Sequence, residues 1–446
     1  MQLTVKKADA HLCATAAGIA EIITRKHYFA KDDGEILYWY HGGVYKKGAE
    51  NEIVRACKKI LQAFNKTEKW SSHKAKEVVA YISADSPLLS TTSGMKYLNV
   101  RNGLIDLRTL KLVPHTHEYR TAVQLPIDFN PDAKCEAWEK VNREVFPADA
   151  QEFIREFAAW LMVPDVAFQK AVVFLGSGAN GKSTILNGIK AFLGTDNVSS
   201  VSLQDLGGNR FASTQLIGKL ANICSDLPNA KLLDTGVFKA ITGGDAIRGE
   251  YKHGKAFDFK PTARLVFSAN EMPRSADVSD GYYRRFLVVP FQARFENDPE
   301  VGRRLDAALS NPKEMSGLLN MALAVLPEVR KRGITISQSM QDAAEEHRRS
   351  TDPVAEWLDA YVVEAEGQFV SNRELMDAYR ANTRSSISPK ALGQGIKRCC
   401  PTAKPVQRTI DGQRPRGYLG IQLQSALEDA GDAHAARDAR CVSSLF

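Results

Sequence analysis

The chain has 446 residues, 44% hydrophobic and 25% charged, with a formal net charge of +7. Those proportions exclude a disordered or low-complexity protein and supply core material for about two or three domains. Seven cysteines without a C-x-x-C pair exclude a disulfide frame or zinc ribbon, and no uncharged apolar run of about 18 residues offers a membrane span.

Residues 1–134 predict an α+β accessory domain. Aromatic alternation around Gly42-Gly43 in "EILYWYHGGVYKK" predicts a hairpin. "NEIVRACKKILQAF" spaces Ile53, Val54, Cys57, Ile60 and Leu61 along one helix face, and Asn102-Gly103 predicts a second hairpin. Asp32, Asp33 and Asp106 fit turns, and no catalytic spacing stands out here. The N-terminus lacks the apolar core of a signal peptide, so a cytoplasmic protein is expected. Residues 135–168 predict a helical collar or linker, broken near Pro147.

From 169 to 349 strand-like runs (AVVFLG, KLANICS, ARLVFSA, RFLVVPF) alternate with helical segments, the rhythm of a parallel α/β sheet. After the first run, Gly176, Gly181, Lys182 and Ser183 fit G-x-x-x-x-G-K-[ST], so Gly176, Ser177, Gly178, Ala179, Asn180, Gly181, Lys182, Ser183 and Thr184 form the expected ATP-binding loop. Backbone amides and a helix N-terminus would cradle the phosphates, with Lys182 on the β/γ groups and Ser183 on Mg2+. Asp226 ends the next strand, where a second magnesium ligand is needed; a turn cap before Pro228 is the alternative. Asn270 ends a third strand and offers a neutral amide to orient water. Lys182 to Asp226 and Asp226 to Asn270 are each 44 residues, room for the intervening elements. Arg284 and Arg285, just before another strand, are candidates for stabilising transferred charge, often from a neighbouring subunit.

Residues 353–424 predict a small domain in which two helices precede a hairpin about Asp411-Gly412, the order of a winged helix. Residues 387–424 carry seven Lys/Arg, among them Lys390, Lys397, Arg398, Arg408, Arg414 and Arg416, against one acid, Asp411. Such an excess suggests duplex DNA contacts. Residues 425–446 are Ala/Asp-rich and predict a disordered tail.

The ordered set "GSGANGKST", "ANICSDLP", "ITGGD…SANEMP" and "SDGYYRRF" resembles superfamily 3 helicases, most closely the helicase part of phage and plasmid primase-helicases, related to the poxvirus primase-helicase. The resemblance implies an AAA+-like ATPase that forms a ring, commonly a hexamer, around single-stranded DNA in phage or mobile-element replication in a bacterial host. It makes Asp226 the Walker B acid, Asn270 the sensor and Arg284 or Arg285 the arginine finger. It also makes Lys252, His253 and Lys255 in "EYKHGKAFDF" a DNA-gripping pore hairpin. The family often has two adjacent acids in the second motif, whereas Ser225 precedes Asp226 here, which leaves the catalytic base open. No paired carboxylates precede the motor, so primer synthesis is expected of a separate primase or polymerase. The alternative function is an AAA+ DNA-binding ATPase that loads or remodels another replication protein without unwinding.

Overall fold

A computed structural model describes residues 7–90, 95–164, 168–227, 234–252, 254–273, 275, 277, 279–295, 299–351, 353–409 and 413–424. The chain folds as two compact units, 1–344 and 345–446.

In the first unit, helix α1 (Ala16–Thr24) begins where Thr15 Oγ1 accepts the Gly18 amide at 3.1 Å. Strands β1 (Phe29–Lys31), β2 (Leu37–His41) and β3 (Val44–Lys47) form an antiparallel sheet, β2 and β3 turning at Gly42-Gly43. Helices α2 (Ala49–Ala63) and α3 (Ser72–Asp85) share a core with α1, burying Ile53, Cys57, Ile60 and Leu61. Strands β4 (Tyr97–Val100), β5 (Gly103–Asp106) and β6 (Leu112–Val113) form a second antiparallel sheet, turned at Asn102-Gly103 as expected. Asp32 and Asp106 are turn residues. Asp32 Oδ1 accepts from the Gly34 and Ile36 amides at 3.0 Å, and Asp106 Oδ1 from Arg108 and Thr109 at 2.9 and 3.0 Å.

Helices α4 (Glu136–Val145) and α5 (Phe153–Met162) lead to β7 (Ala171–Leu175) and α6 (Lys182–Leu193). Then come β8 (Val198–Ser199), α7 (Leu203–Gly208), β9 (Ala221–Cys224), α8 (Gly236–Gly243), and the paired strands β10 (Ile247–Glu250) and β11 (Ala256–Phe259). β12 (Arg264–Ala269), the short α9 (Asp280–Tyr283), β13 (Phe286–Pro290), α10 (Pro299–Leu309), α11 (Pro312–Arg332) and α12 (Gln338–Thr351) follow. The expected parallel sheet has five strands in the order β13-β7-β12-β9-β8. Alternate residues of β7 enter different cores. Val172 and Phe174 join α5, α11 and Trp138 of α4, whereas Ala171 and Val173 join Phe238 of α8 and Tyr282. Both faces are therefore covered, which is why these strands read as continuous apolar runs. Residues 135–162 share the larger core with the sheet.

The second unit contains α13 (Pro353–Tyr361), β14 (Val362–Ser371), α14 (Asn372–Thr383), α15 (Pro389–Cys399), β15 (Lys404–Gln407) and β16 (Arg416–Leu423). Its antiparallel sheet runs β14-β16-β15 over a core of Trp357, Leu375, Leu392, Ile396 and Ile421. Ser371 and Glu374 form a reciprocal capping box that starts α14. Strand β14 is an element beyond the expected two helices and hairpin. The expected Asp411-Gly412 turn and the 425–446 tail lie outside the described residues.

Candidate nucleotide site

The loop after β7 bends back on itself. Gly178, Ala179 and Gly181 have φ of 105°, 49° and 86°, and Gly181 starts α6. A side chain at Gly176 would meet Asn180 Nδ2 at 2.2 Å and the Phe291 carbonyl at 2.7 Å, so only glycine fits there. The segment after β13 braces the loop: the Phe295 amide donates to Ala179 O at 2.8 Å and Asn180 Nδ2 to Phe291 O at 3.3 Å. Lys182 is 6% exposed, and burial lowers its amine pKa. The amine donates to Gly176 O, to Asn180 Oδ1 at 3.1 Å and, at the 3.5 Å limit, to Asn270 Oδ1. The α6 helix follows directly, with Ser183 exposed on its first turn and Thr184 half-buried.

β12 lies between β7 and β9, so Asn270 sits between the phosphate loop and Asp226. The Leu227 amide donates to Ser268 O at 2.8 Å, extending the pairing past β9 and setting Asp226 beside the end of β12. Asp226 and Ser225 are exposed, and Ser225 Oγ accepts from Lys190 Nζ at 2.7 Å. Gly176, Ser177, Lys182, Asp226 and Asn270 therefore share the C-terminal sheet edge, where open α/β sheets place ligands. A buried cation facing three neutral oxygens, beside an exposed hydroxyl and an exposed carboxylate, fits the phosphates and magnesium of a nucleotide.

Arg284 and Arg285 are not brought to that edge. They precede β13, whose partner β7 runs parallel with it. The Ala171 amide donates to Arg285 O and Lys170 Nζ to Arg284 O, both at 2.6 Å, at the opposite end of β7. A five-residue strand puts about 15 Å between that edge and the phosphate loop. The two arginines also differ. Arg284 is exposed. Arg285 is half-buried near Asp245 of the "TGGD" stretch; burial and the charge of Arg284 lower its pKa while Asp245 raises it.

Sequence reasoning missed Asp277. Burial pushes its carboxyl up, but hydrogen bonds from Lys239, Ser279 and Thr235 outweigh that and hold it well below the ordinary range. Lys239 and Thr235 flank the start of α8, so this network ties the loop ahead of the arginines to that helix. A lone Asp in a polar loop carries no sequence signal of this role.

β10 and β11 pair from Ile247↔Phe259 to Glu250↔Ala256, which confines Lys252 and Lys255 to the connecting turn, both exposed. His253 lies outside the described residues. In the second unit, α15 buries Leu392 and Ile396 and exposes Lys390 and Lys397 on its other face; Arg398 is half-buried. Arg408, Arg414 and Arg416 are exposed on the β15–β16 hairpin. Among the described residues no helix is long and apolar enough to cross a membrane.

Two family profiles match: "D5 N terminal like" over residues 16–147, and "Family of unknown function (DUF5906)" over residues 174–285. The chain is 25% identical over 399 residues to "Putative helicase L207/L206" of Acanthamoeba polyphaga mimivirus, covering 83% of this chain and 40% of that protein. It is 29% identical over 167 residues to "Putative helicase 022R" of Frog virus 3 (isolate Goorha), covering 34% of this chain and 17% of that protein. The chain thus spans less than half the length of either relative. The solved apo structure of the NrS-1 C-terminal region aligns over 90% of this chain and 98% of that one, at 13% identity and a TM-score of 0.49. The D5-type match over the N-terminal part and the similarity to viral proteins named putative helicases support a phage and viral primase-helicase family for this chain.

Proposed function

We propose that this chain is an ATP-dependent superfamily 3 DNA helicase that works as a ring, with a P-loop AAA+-like motor at 169–349 and a winged-helix DNA-binding domain at 353–424. The observation that carries the reading is the meeting of Lys182, Asn180 and Asn270 beside Asp226 at one sheet edge, with Arg284 at the other. Lys182 would exchange neutral oxygens for anionic phosphate oxygens, a stronger charge-assisted contact. That exchange frees the Asn270 amide to orient the attacking water. Ser183 and Asp226 would hold Mg2+, which neutralises phosphate charge when bound. Arg284 lies at the sheet edge opposite its own loop and would complete the site of a neighbouring subunit, so hydrolysis would require the oligomer, commonly a hexamer. Lys252 and Lys255 would grip successive phosphates of a strand in the ring, without reading sequence. The order α13-β14-α14-α15-β15-β16 in the second unit supports the winged-helix reading. Lys390, Lys397, Arg398, Arg408, Arg414 and Arg416 would meet a duplex or fork there. A separate primase or polymerase would supply primers.

The test is strand displacement on a forked duplex with ATP, against Lys182→Ala. Displacement by the wild type alone is expected. ATP turnover without displacement would replace this reading with a loader or remodelling ATPase.

A further inference from the structure

A cleft of about 720 Å³ lies within the first unit, away from the phosphate loop. One wall is β3 of the N-terminal sheet, with Lys46 and Lys47; the other is the end of α6 and the turn before β9, with Thr195 and Lys219. Lys46 and Lys47 are exposed. Lys47 is paired across the strands with Tyr38, and its amine sits 5.7 Å from that ring. Lys219 is half-buried, with its amine on the Asp196 carbonyl oxygen at 2.5 Å. Its pKa is lowered by burial and then by the charge of Lys47, with Asp196 acting the other way.

Among the described residues no carboxylate lies within ion-pair distance of Lys46, Lys47 or Lys219. Arg101 at the rim is different, because Asp128 already takes both ends of its guanidinium. Lys47 and Lys219 repel one another across the cleft, which Asp196 also lines and offsets in part, and an anion relieves what repulsion remains. The lining amides are used internally. Gln124 donates to Gly42 O at 3.1 Å, and Asn197 to Gln124 O and Leu193 O at 2.7 Å each. Little is left to read a base, whereas the exposed Lys46 and Lys47 amines, and Lys219 with one donor already on the Asp196 carbonyl, can meet phosphate oxygens.

We propose that this cleft binds the phosphodiester backbone of a single nucleic-acid strand, as a second strand site separate from the β10–β11 turn and the C-terminal unit. The proposal stands apart from unwinding, because it concerns binding without ATP hydrolysis. A free nucleotide would present the same phosphate chemistry, and the test separates the two.

The full chain is treated with an amine-acetylating reagent, alone, with an oligothymidylate or with ATP, and lysine reactivity is read by mass spectrometry. Protection of Lys46, Lys47 and Lys219 by the oligonucleotide and not by ATP is expected. Equal protection by ATP, or strand protection confined to lysines elsewhere such as Lys252 and Lys255, would overturn the assignment. The double variant Lys47→Ala/Lys219→Ala gives an independent reading. Two lost phosphate contacts lower the slope of log affinity against log salt by about 1.4 for a single strand. Unstimulated ATP turnover should be unchanged. A wild-type slope in that variant would reject the cleft as a strand site.

Discussion

At the residue scale, a buried carboxylate ties distant segments together. Glu156 of α5 is 3% exposed and accepts from Arg332 Nη2 at 2.6 Å, the Thr335 amide at 2.7 Å and Thr335 Oγ1 at 2.9 Å. It fastens α5 to the chain beyond α11. Glu156→Ala strands a backbone amide and a guanidinium, and should cost about 2–3 kcal/mol in chemical denaturation; a midpoint equal to wild type would contradict that role. Asp277 gives a pH test. Its folded pKa lies below the unfolded value, so its stabilisation is fully present above about pH 4 and is lost as pH falls through the folded pKa. The melting temperature of Asp277→Asn should therefore trail wild type by a constant margin near neutrality, and the gap should close only in acid. A gap closing near neutral pH would assign the effect to another group. Neither role was legible in sequence, because the partners of Glu156 lie 176 and 179 residues away.

At the element scale, the β10–β11 hairpin is held by more than its own ladder. A methyl group built at Gly34, in the β1–β2 turn, would meet Tyr251 Cε2 at 2.7 Å and Phe257 Cζ at 2.9 Å, and those two rings pack 5.4 Å apart. The N-terminal sheet thus seats the base of the hairpin that presents Lys252 and Lys255. Gly34→Ala should overpack this contact, cost about 1–3 kcal/mol and weaken strand stimulation of ATP turnover more than basal turnover. Equal loss of both would make the contact purely structural. The hairpin strands were visible in sequence, but the seat was not, since Gly34 there is an ordinary turn glycine. Strand β14 was missed for a local reason. Its pairing with β16 shifts register between Glu364 and Phe369, and Gly367 sits at φ 78°, so no period of two runs through it.

At the scale of the whole molecule, the parallel sheet sets what one chain can do alone. The phosphate loop, Asp226 and Asn270 lie at one edge, while Arg284 lies at the other, where no rotamer reaches its own loop. Arg284→Ala should bind nucleotide normally and lose turnover by about 10³-fold. Mixing it with Lys182→Ala should restore part of the activity, because a Lys182→Ala subunit can lend Arg284 to an intact neighbouring loop. No recovery in mixed samples would place the charge-stabilising group within the same chain. The sequence by itself determined the glycine-rich turn after β7, the parallel-sheet rhythm, the N-terminal hairpins and the family resemblance, because each is written in short-range spacing: glycines for a turn, apolar runs for doubly covered strands, alternation for hairpins. Only the tertiary structure decided that Asn270 meets Lys182, that the two arginines stand at the far edge and face different surroundings, and that Lys219 joins Lys46 and Lys47. Those relations depend on strand order and on packing between segments far apart in the chain, and no local pattern encodes them.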